Sequence, residues 1–346
     1  MKILALDLGK SNTCGCIFDT STAEERFSTV RTRPDELRRL LERERPGHVV
    51  FEVCTLAGWV HDLVTAAGAK AHVANPNHEG WRWRNVKRKT DRLDAAKLAG
   101  MLAMRQLPEV HMPSRGVREH RALIAYRQQL VARQTRVKNT IHSLLLRQGR
   151  VHPRGQRGWT LKARSELEQL ARPWEQVGDA DLWRAELGEE LLALEEIGQR
   201  LVRVERKLDE LGRGDERIRR LQTIPCVGPR TAELLVAVID EPRRFHRGKE
   251  VGSYVGLVPR QYQSGQMDRS GHISKQGHRQ LRSLLVEVSW LALRYNPHLR
   301  SVFERICRGT RSRRKIAIVA VARKLVIIAW AMLRDGTSWR ARVRAA

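Results

Sequence analysis

The chain has 346 residues, enough for about two ordinary domains at roughly 150 residues each. Lys and Arg number 65 against 38 Asp and Glu, a formal net charge of +27, which is costly in self-repulsion unless a polyanion compensates it. Hydrophobic residues at 41% exclude a wholly disordered basic tail, so a folded protein that binds nucleic acid is the expected class.

The opening Met1-Lys-Ile-Leu-Ala-Leu-Asp7 reads as a buried strand ending in a carboxylate, where a signal peptide would need an apolar stretch. Gly9-Lys10-Ser11-Asn12 supplies turn chemistry, and Thr13–Asp19 completes a hairpin. A helix is expected over 34–44, a short strand over 47–52 ending at Glu52, a helix over 58–67 and a strand over 70–73. The order β-β-β-α-β-α-β-α implies an α/β domain with a mixed sheet. The five cysteines (Cys14, Cys16, Cys54, Cys226 and Cys307) show no metal-ligand spacing and read as small buried side chains in a reducing, cytoplasmic setting.

A long helix is expected from about Val117 to Leu146, striped by Leu123, Tyr126, Leu130, Val137, Ile141 and Leu144. Gly149 to Gly158 is a basic, glycine-bearing loop. Leu187, Leu191, Leu194, Ile197, Leu201, Val204, Leu208 and Leu211 follow a 4-3-3-4-3-4-3 spacing close to a heptad seam, which could pair within one chain or across a dimer. Residues 81–150 hold 17 Lys/Arg and 4 Asp/Glu, residues 165–215 hold 7 and 14, and residues 300–346 hold 13 and 2. Two basic regions therefore flank an acidic helical scaffold. No long uncharged apolar run offers a membrane span.

In the C-terminal part, Leu221–Leu235 with Pro225-Cys226-Val227-Gly228 resembles a helix-hairpin-helix, whose turn aims backbone N–H groups at a DNA phosphate. Cys226 stands where the first glycine is usual, so a looser turn is expected. Residues 256–278 alternate glycine, hydroxyl and basic residues without an apolar period and read as a polar loop before a helix at about Arg279–Leu293. Ser264 beside Gly265 is the candidate nucleophile there, although a loop serine alone is more often structural. Lys315–Leu333 is a final apolar helix with a basic lead-in of Arg311, Arg313 and Arg314. With Lys87, Arg88, Lys89, Arg230, Arg260, Lys275 and Arg279 these are the candidate nucleic-acid contacts.

Asp7 and Glu52 end apolar strands, where open α/β sheets place their sites. A helix starting near Thr90 would put Asp91 and Asp94 on one face. Four converging carboxylates suit Mg²⁺ and metal-assisted phosphodiester chemistry. Taken singly, Asp91 also reads as a first-turn acid and Asp94 as a partner of Arg92 or Lys97. The arrangement resembles the RNase H-like fold of RuvC-type nucleases. Asp7-Leu-Gly9-Lys10-Ser11-Asn12 also looks like the first phosphate loop of sugar kinases, but no second phosphate loop or adenosine motif follows.

The ordered set of Asp7-x-Gly9, Glu52, Val73-Ala-Asn75-Pro76, Lys89–Ala95, Ile224–Gly228, Gly256–Pro259, Ser264-Gly265, Gly271–Gly277 and Ala322–Leu325 resembles the DEDD transposases of the insertion-sequence 110 family, relatives of Piv-type DNA invertases. The resemblance implies a RuvC-like DEDD domain over 1–113, a helical coiled-coil insertion over 114–214 and a mainly α C-terminal transposase domain over 215–346. It implies catalysis by Asp7, Glu52, Asp91 and Asp94 with Mg²⁺ and by Ser264, with Ser270 and Ser274 as weaker alternatives for the nucleophile. It further implies donor and target double-stranded DNA, a structured non-coding guide RNA, a homo-oligomer (dimer or tetramer), no membrane and a prokaryotic cytoplasm with nucleoid association. A RuvC-like junction nuclease using only the acids and a non-catalytic nucleic-acid-binding protein are the alternative classes.

Overall fold

In a computed structural model, residues 1–76, 90–151, 159–264 and 267–340 are described. They form two compact units, Met1–Arg118 and Glu119–Ala346.

The first unit is a five-stranded sheet in the order β3-β2-β1-β4-β5. Strands β1 (Lys2–Leu8), β2 (Asn12–Asp19) and β3 (Glu25–Arg31) form an antiparallel meander. Strands β4 (His48–Glu52) and β5 (Lys70–Ala74) run parallel to β1. Helices α1 (Pro34–Glu44) and α2 (Ala57–Ala66) supply the crossovers. Strand alternation sorts the side chains between two apolar layers. Leu4, Leu6, Val49, Phe51 and Val73 pack with Leu37, Leu40, Val60 and Val64 of α1 and α2. Ile3, Ala5, Cys16, Val50 and Ala74 face the other way, onto Ala95, Leu98 and Ala99 of α3 (Asp91–Ala103). The small alanines let α3 lie close to the sheet, and Thr90 caps it by accepting the Leu93 N–H at 3.3 Å.

The second unit is mainly helical. Helix α4 (Arg115–Arg147) enters it, followed by α5 (Leu161–Leu170) and α6 (Leu182–Arg213). Most of the leucine seam of α6 is consumed within the chain. Leu187, Leu191 and Leu194 join Ile141, Leu144 and Leu145 of α4 and Leu167 of α5, while Leu201, Val204 and Leu208 enter the main core with Ile124 and Leu130. The ion pairs Arg127–Glu205 (2.6 Å) and Arg147–Glu186 (3.3 Å) fix α4 and α6 antiparallel. Leu211 and Tyr126 are exposed and belong to neither layer.

Helices α7 (Glu216–Gln222) and α8 (Pro229–Ile239) follow, then α9 (Gly248–Tyr254). Every residue of α8 from Thr231 to Ile239 is buried. Its last carbonyls are therefore cut off from water and take arginine donors instead. Arg121 donates to the oxygens of Ala237 (2.7 Å) and Val238 (3.2 Å), and Arg244 to that of Ile239 (3.3 Å). A two-stranded ribbon, β6 (Pro259–Ser264) with β7 (Met267–Ile273), precedes α10 (Arg279–Tyr295), α11 (Pro297–Cys307) and α12 (Arg314–Asp335). Residues expected to form an aperiodic loop are thus partly a hairpin, whose polar face and bulge leave no apolar alternation to read. The stretch Arg311–Asp335 is long and apolar enough to cross a membrane, but Arg323 and Lys324 interrupt it. Ala317, Val321, Leu325, Ala329 and Trp330 on α12 are buried in the unit's core.

Candidate active site

The parallel pairing sets Leu6 beside Phe51, so Asp7 and Glu52 follow at the same level, at the carboxyl ends of neighbouring strands. Both share strand parity with Ile3, Ala5 and Val50 and so belong to the face that α3 covers. Both are half-buried, as is Asp94, while Asp91 is exposed on the first turn of α3. Asp7 pairs in register with Cys14 of β2. Burial pushes the Cys14 thiol pKa up, and the negative charges of Asp91 and Asp7 raise it further. The first turn of α3 and the end of β1 therefore lie in one electrostatic neighbourhood. Oxygen donors from three segments are the chemistry a hard divalent cation prefers. Among the described residues, however, no group of three or more His, Cys, Asp or Glu side chains is arranged to hold a metal ion. The acids share a face and an end of the sheet without forming a closed ligand set. Cys14 is the neighbour that sequence reasoning left in the core; the short turn between β1 and β2 carries the signal, because it sets Asp7 opposite Cys14.

Ser264 is the last residue of β6, exposed and paired with Met267 across the ribbon. The base of the ribbon is interlocked. Gly256 (φ +75°) and Gly277 (φ +73°) sit so close to the opposite loop that a methyl would lie 2.1 Å from the Gln276 oxygen or 1.9 Å from the Tyr254 oxygen. Ser274 donates its N–H to Val258 O (2.9 Å), and Arg282 donates to the oxygens of Val255 (3.0 Å), Gln276 (2.5 Å) and Gly277 (3.1 Å). The Gly256-Leu-Val-Pro and Gly271–Gly277 motifs thus build the clamp from which the serine projects. Ser270 lies opposite Gln261 in the register, and the Ser274 Oγ is buried without a hydrogen-bond partner.

The turn between α7 and α8 is tight rather than loose. Cys226 takes φ +84°, the left-handed conformation a glycine would adopt, and burial raises its thiol pKa to about 11. Of the candidate nucleic-acid contacts, Arg260, Lys275, Arg279, Arg311 and Arg314 are exposed and Arg313 is half-buried. Arg230 is instead held by Glu233 (2.8 Å), Asp209 (2.5 Å) and the Glu205 carbonyl (3.1 Å). Lys87, Arg88 and Lys89 lie outside the described residues.

A mixed sheet in the order 3-2-1-4-5, with acids ending its first and fourth strands and a third acidic segment opening the covering helix, defines an RNase H-like domain of RuvC type. Residues 4–148 match the family model of the DEDD transposases of the IS110 group, described as Transposase, and residues 218–304 match the one described as Transposase IS116/IS110/IS902 family. The chain belongs to the IS110 family of DNA transposases. It is 28% identical to the transposase for insertion sequence element IS1111A of Coxiella burnetii, over 98% of this chain and 92% of that one. It is 25% identical to a putative transposase of Sinorhizobium fredii over 98% and 86%. Similarity to the pilin gene-inverting protein of Moraxella lacunata, 32% identical, spans 36% of this chain and 38% of that one. The RuvC structure of Thermus thermophilus aligns with 32% of this chain at 15% identity and a TM-score of 0.24. The protein is accordingly a DNA transposase or recombinase, and its DEDD domain implies dependence on a divalent metal.

Proposed function

We propose that this chain is a site-specific, RNA-guided recombinase that cuts and rejoins DNA through Ser264, assisted by Mg²⁺ at Asp7, Glu52, Asp91 and Asp94. The observation that carries the serine assignment is the placement of Ser264 at the exposed end of a ribbon clamped at its base. The Oγ attacks a DNA phosphorus and an Oγ–P bond forms. The P–O bond to one deoxyribose breaks, the serine proton passes to a base and the departing sugar oxygen is protonated. A hydroxyl of the incoming strand then attacks the phosphoserine, restoring a phosphodiester and the serine. Mg²⁺ bound by the carboxylates would supply Lewis-acid stabilisation of charge on the reacting oxygens. Asp7 and Glu52 would hold the ion from the strand ends, and Asp91 and Asp94 from the first turn of α3.

The three functional blocks are residues 1–113, 114–214 and 215–346. Exposed basic residues, Arg260, Lys275, Arg279, Arg311 and Arg314 among them, would contact donor and target duplexes and a structured non-coding RNA. A dimer or tetramer would combine the acids of one subunit with the serine of another. The reaction would occur on chromosomal DNA in a bacterial cytoplasm. The test is a recombination assay with Mg²⁺ and RNA transcribed from the flanks of the gene, in wild type and in Ser264→Ala, Asp7→Asn and Glu52→Gln. Loss of covalent DNA linkage and strand exchange in all three variants is expected. Cleavage retained by Ser264→Ala would favour a nuclease using the acids alone, and activity without RNA would remove the guide from the scheme.

A further inference from the structure

Tyr262 stands two residues before Ser264 on β6 and is 54% exposed, outside the apolar clusters of the described residues. Its ring folds back over Gly271. A methyl built on Gly271 would stand 2.8 Å from Tyr262 Cε2 and 3.5 Å from Cδ2, so the glycine is what lets the ring rest against the ribbon. The one-residue register shift between Pro259 and Gln261 places Arg260 opposite the Gly271-His272 pair, a bulge that twists the ribbon at this point. Beyond it, Tyr262 is directly opposite Arg269, and Ser264 is opposite Met267. By strand alternation Tyr262, Ser264 and Arg269 therefore share one face, with Arg269 the diagonal neighbour of the serine. Arg260 and Arg269 are both exposed.

An exposed aromatic ring with one arginine two residues before it and another directly opposite it suits a nucleotide strand, because every base has a π-face and every linkage a negative phosphate. A base inside an intact duplex has both faces covered, so such a ring can accept only an unpaired one. Along the strand Tyr262 lies about 7 Å from Ser264, close enough for a base to reach the ring while its flanking phosphate reaches the hydroxyl. We propose that Tyr262 is a stacking shelf for one unpaired DNA base adjacent to the phosphodiester at Ser264, with Arg260 and Arg269 beside the flanking phosphates. The proposal rests on the assignment of Ser264 to the reacting strand. Strand exchange requires bases to leave one partner before they join another, and a shelf beside the reacting linkage would hold the first of them.

The experiment uses the full-length protein carrying Ser264→Ala, so that bound DNA is not consumed, and a short single-stranded DNA of mixed sequence carrying 2-aminopurine. Binding should quench the 2-aminopurine. Adding Tyr262→Phe should leave quenching and affinity unchanged, whereas Tyr262→Ala should abolish the quenching and weaken binding about tenfold, the loss of one stack. Gly271→Ala, which pushes the ring off the ribbon, should reduce the quenching at unchanged thermal stability. Arg269→Ala should weaken binding and lower its salt slope by about one charge while leaving the quenching of bound DNA intact. Quenching that survives Tyr262→Ala overturns the proposal. Tyr262-dependent quenching seen with RNA of the same sequence but not with DNA overturns the choice of occupant. A separate assay for covalent DNA on the wild-type serine keeps the two readings apart: its failure with Tyr262-dependent quenching intact removes the serine and leaves the shelf.

Discussion

Gly277→Ala should destabilise the C-terminal unit by about 3–4 kcal/mol. Gly277 has φ +73°, and an added methyl would lie 1.9 Å from the carbonyl oxygen of Tyr254 and 3.1 Å from its carbonyl carbon. Left-handed backbone costs an L-residue about 1–2 kcal/mol. The obstructing atoms are backbone and cannot swing aside, so the two loops must part by about 1.5 Å to restore ordinary contact. That movement stretches the hydrogen bonds from Ser274 N to Val258 O (2.9 Å) and from Lys275 N to Gly256 O (3.2 Å). Each contributes about 1 kcal/mol. Gly309 is the control. Its φ is +71°, but nothing stands within 4 Å of an added methyl, so Gly309→Ala should show the conformational cost alone, about 1–2 kcal/mol. Urea unfolding followed by tryptophan fluorescence reads both. Equal shifts for the two variants would refute the clamp, because the steric part would then be absent.

His278 caps α10 by accepting the Leu281 N–H on Nδ1 at 3.2 Å, which requires the neutral ring. Burial, with Arg121 and Arg282 nearby, holds its pKa below the ordinary 6.5, so the unfolded chain binds the proton more readily. The cap's contribution is then complete above that value and is lost as pH falls through and below it; His278→Asn should keep the cap and flatten this part of the stability–pH profile, and an unchanged profile would count against the cap. DNA affinity should fall with salt, with a slope smaller by about one for each of Arg311→Gln and Arg314→Gln. Arg127→Gln should lower stability and leave the slope alone, because that side chain is bound to Glu205.

The N-terminal unit was legible because strand and helix periods there are undisturbed. Ile3, Ala5 and Leu6 alternate into two buried layers, and the acids stand where the apolar runs stop. The long helices α4 and α6 were legible for the same reason, yet the seam on α6 was silent about its partner. A 4-3-3-4 stripe looks alike whether a neighbouring helix or a second copy covers it, and only the antiparallel fit to α4 decides. The ribbon was hidden because its β6 strand is exposed along its whole length, so no hydrophobic alternation marks it. Cys226 misled by its chemistry: the residue type suggested a looser turn, but the fold imposes φ +84° on it. The glycines of residues 256–277 were visible as a motif, whereas their purpose, a close passage between two loops, is a tertiary property.

The 65 Lys and Arg side chains exceed the cations available to a polyanion, since several arginines are held by partners within the fold. Arg118 is bound to Asp62, Arg127 to Glu205, Arg147 to Glu186 and Arg230 to Glu233 and Asp209, while Arg121 caps a buried helix end. These arginines lie on α4 and α8, and they include four of the nine Lys and Arg between residues 115 and 150. Exposed cations stand on the ribbon and its neighbours, Arg260, Arg269, Lys275 and Arg279, at the entrance to α12, Arg311, Arg314 and Lys315, and also on α4, at Arg133 and Arg136. An arginine tied to a carboxylate in the fold has already lost its field at a distance and cannot release counterions from DNA without breaking that pair. Exposed cations of this second kind are therefore the ones that would meet a polyanion, and the candidate serine stands among those on the ribbon.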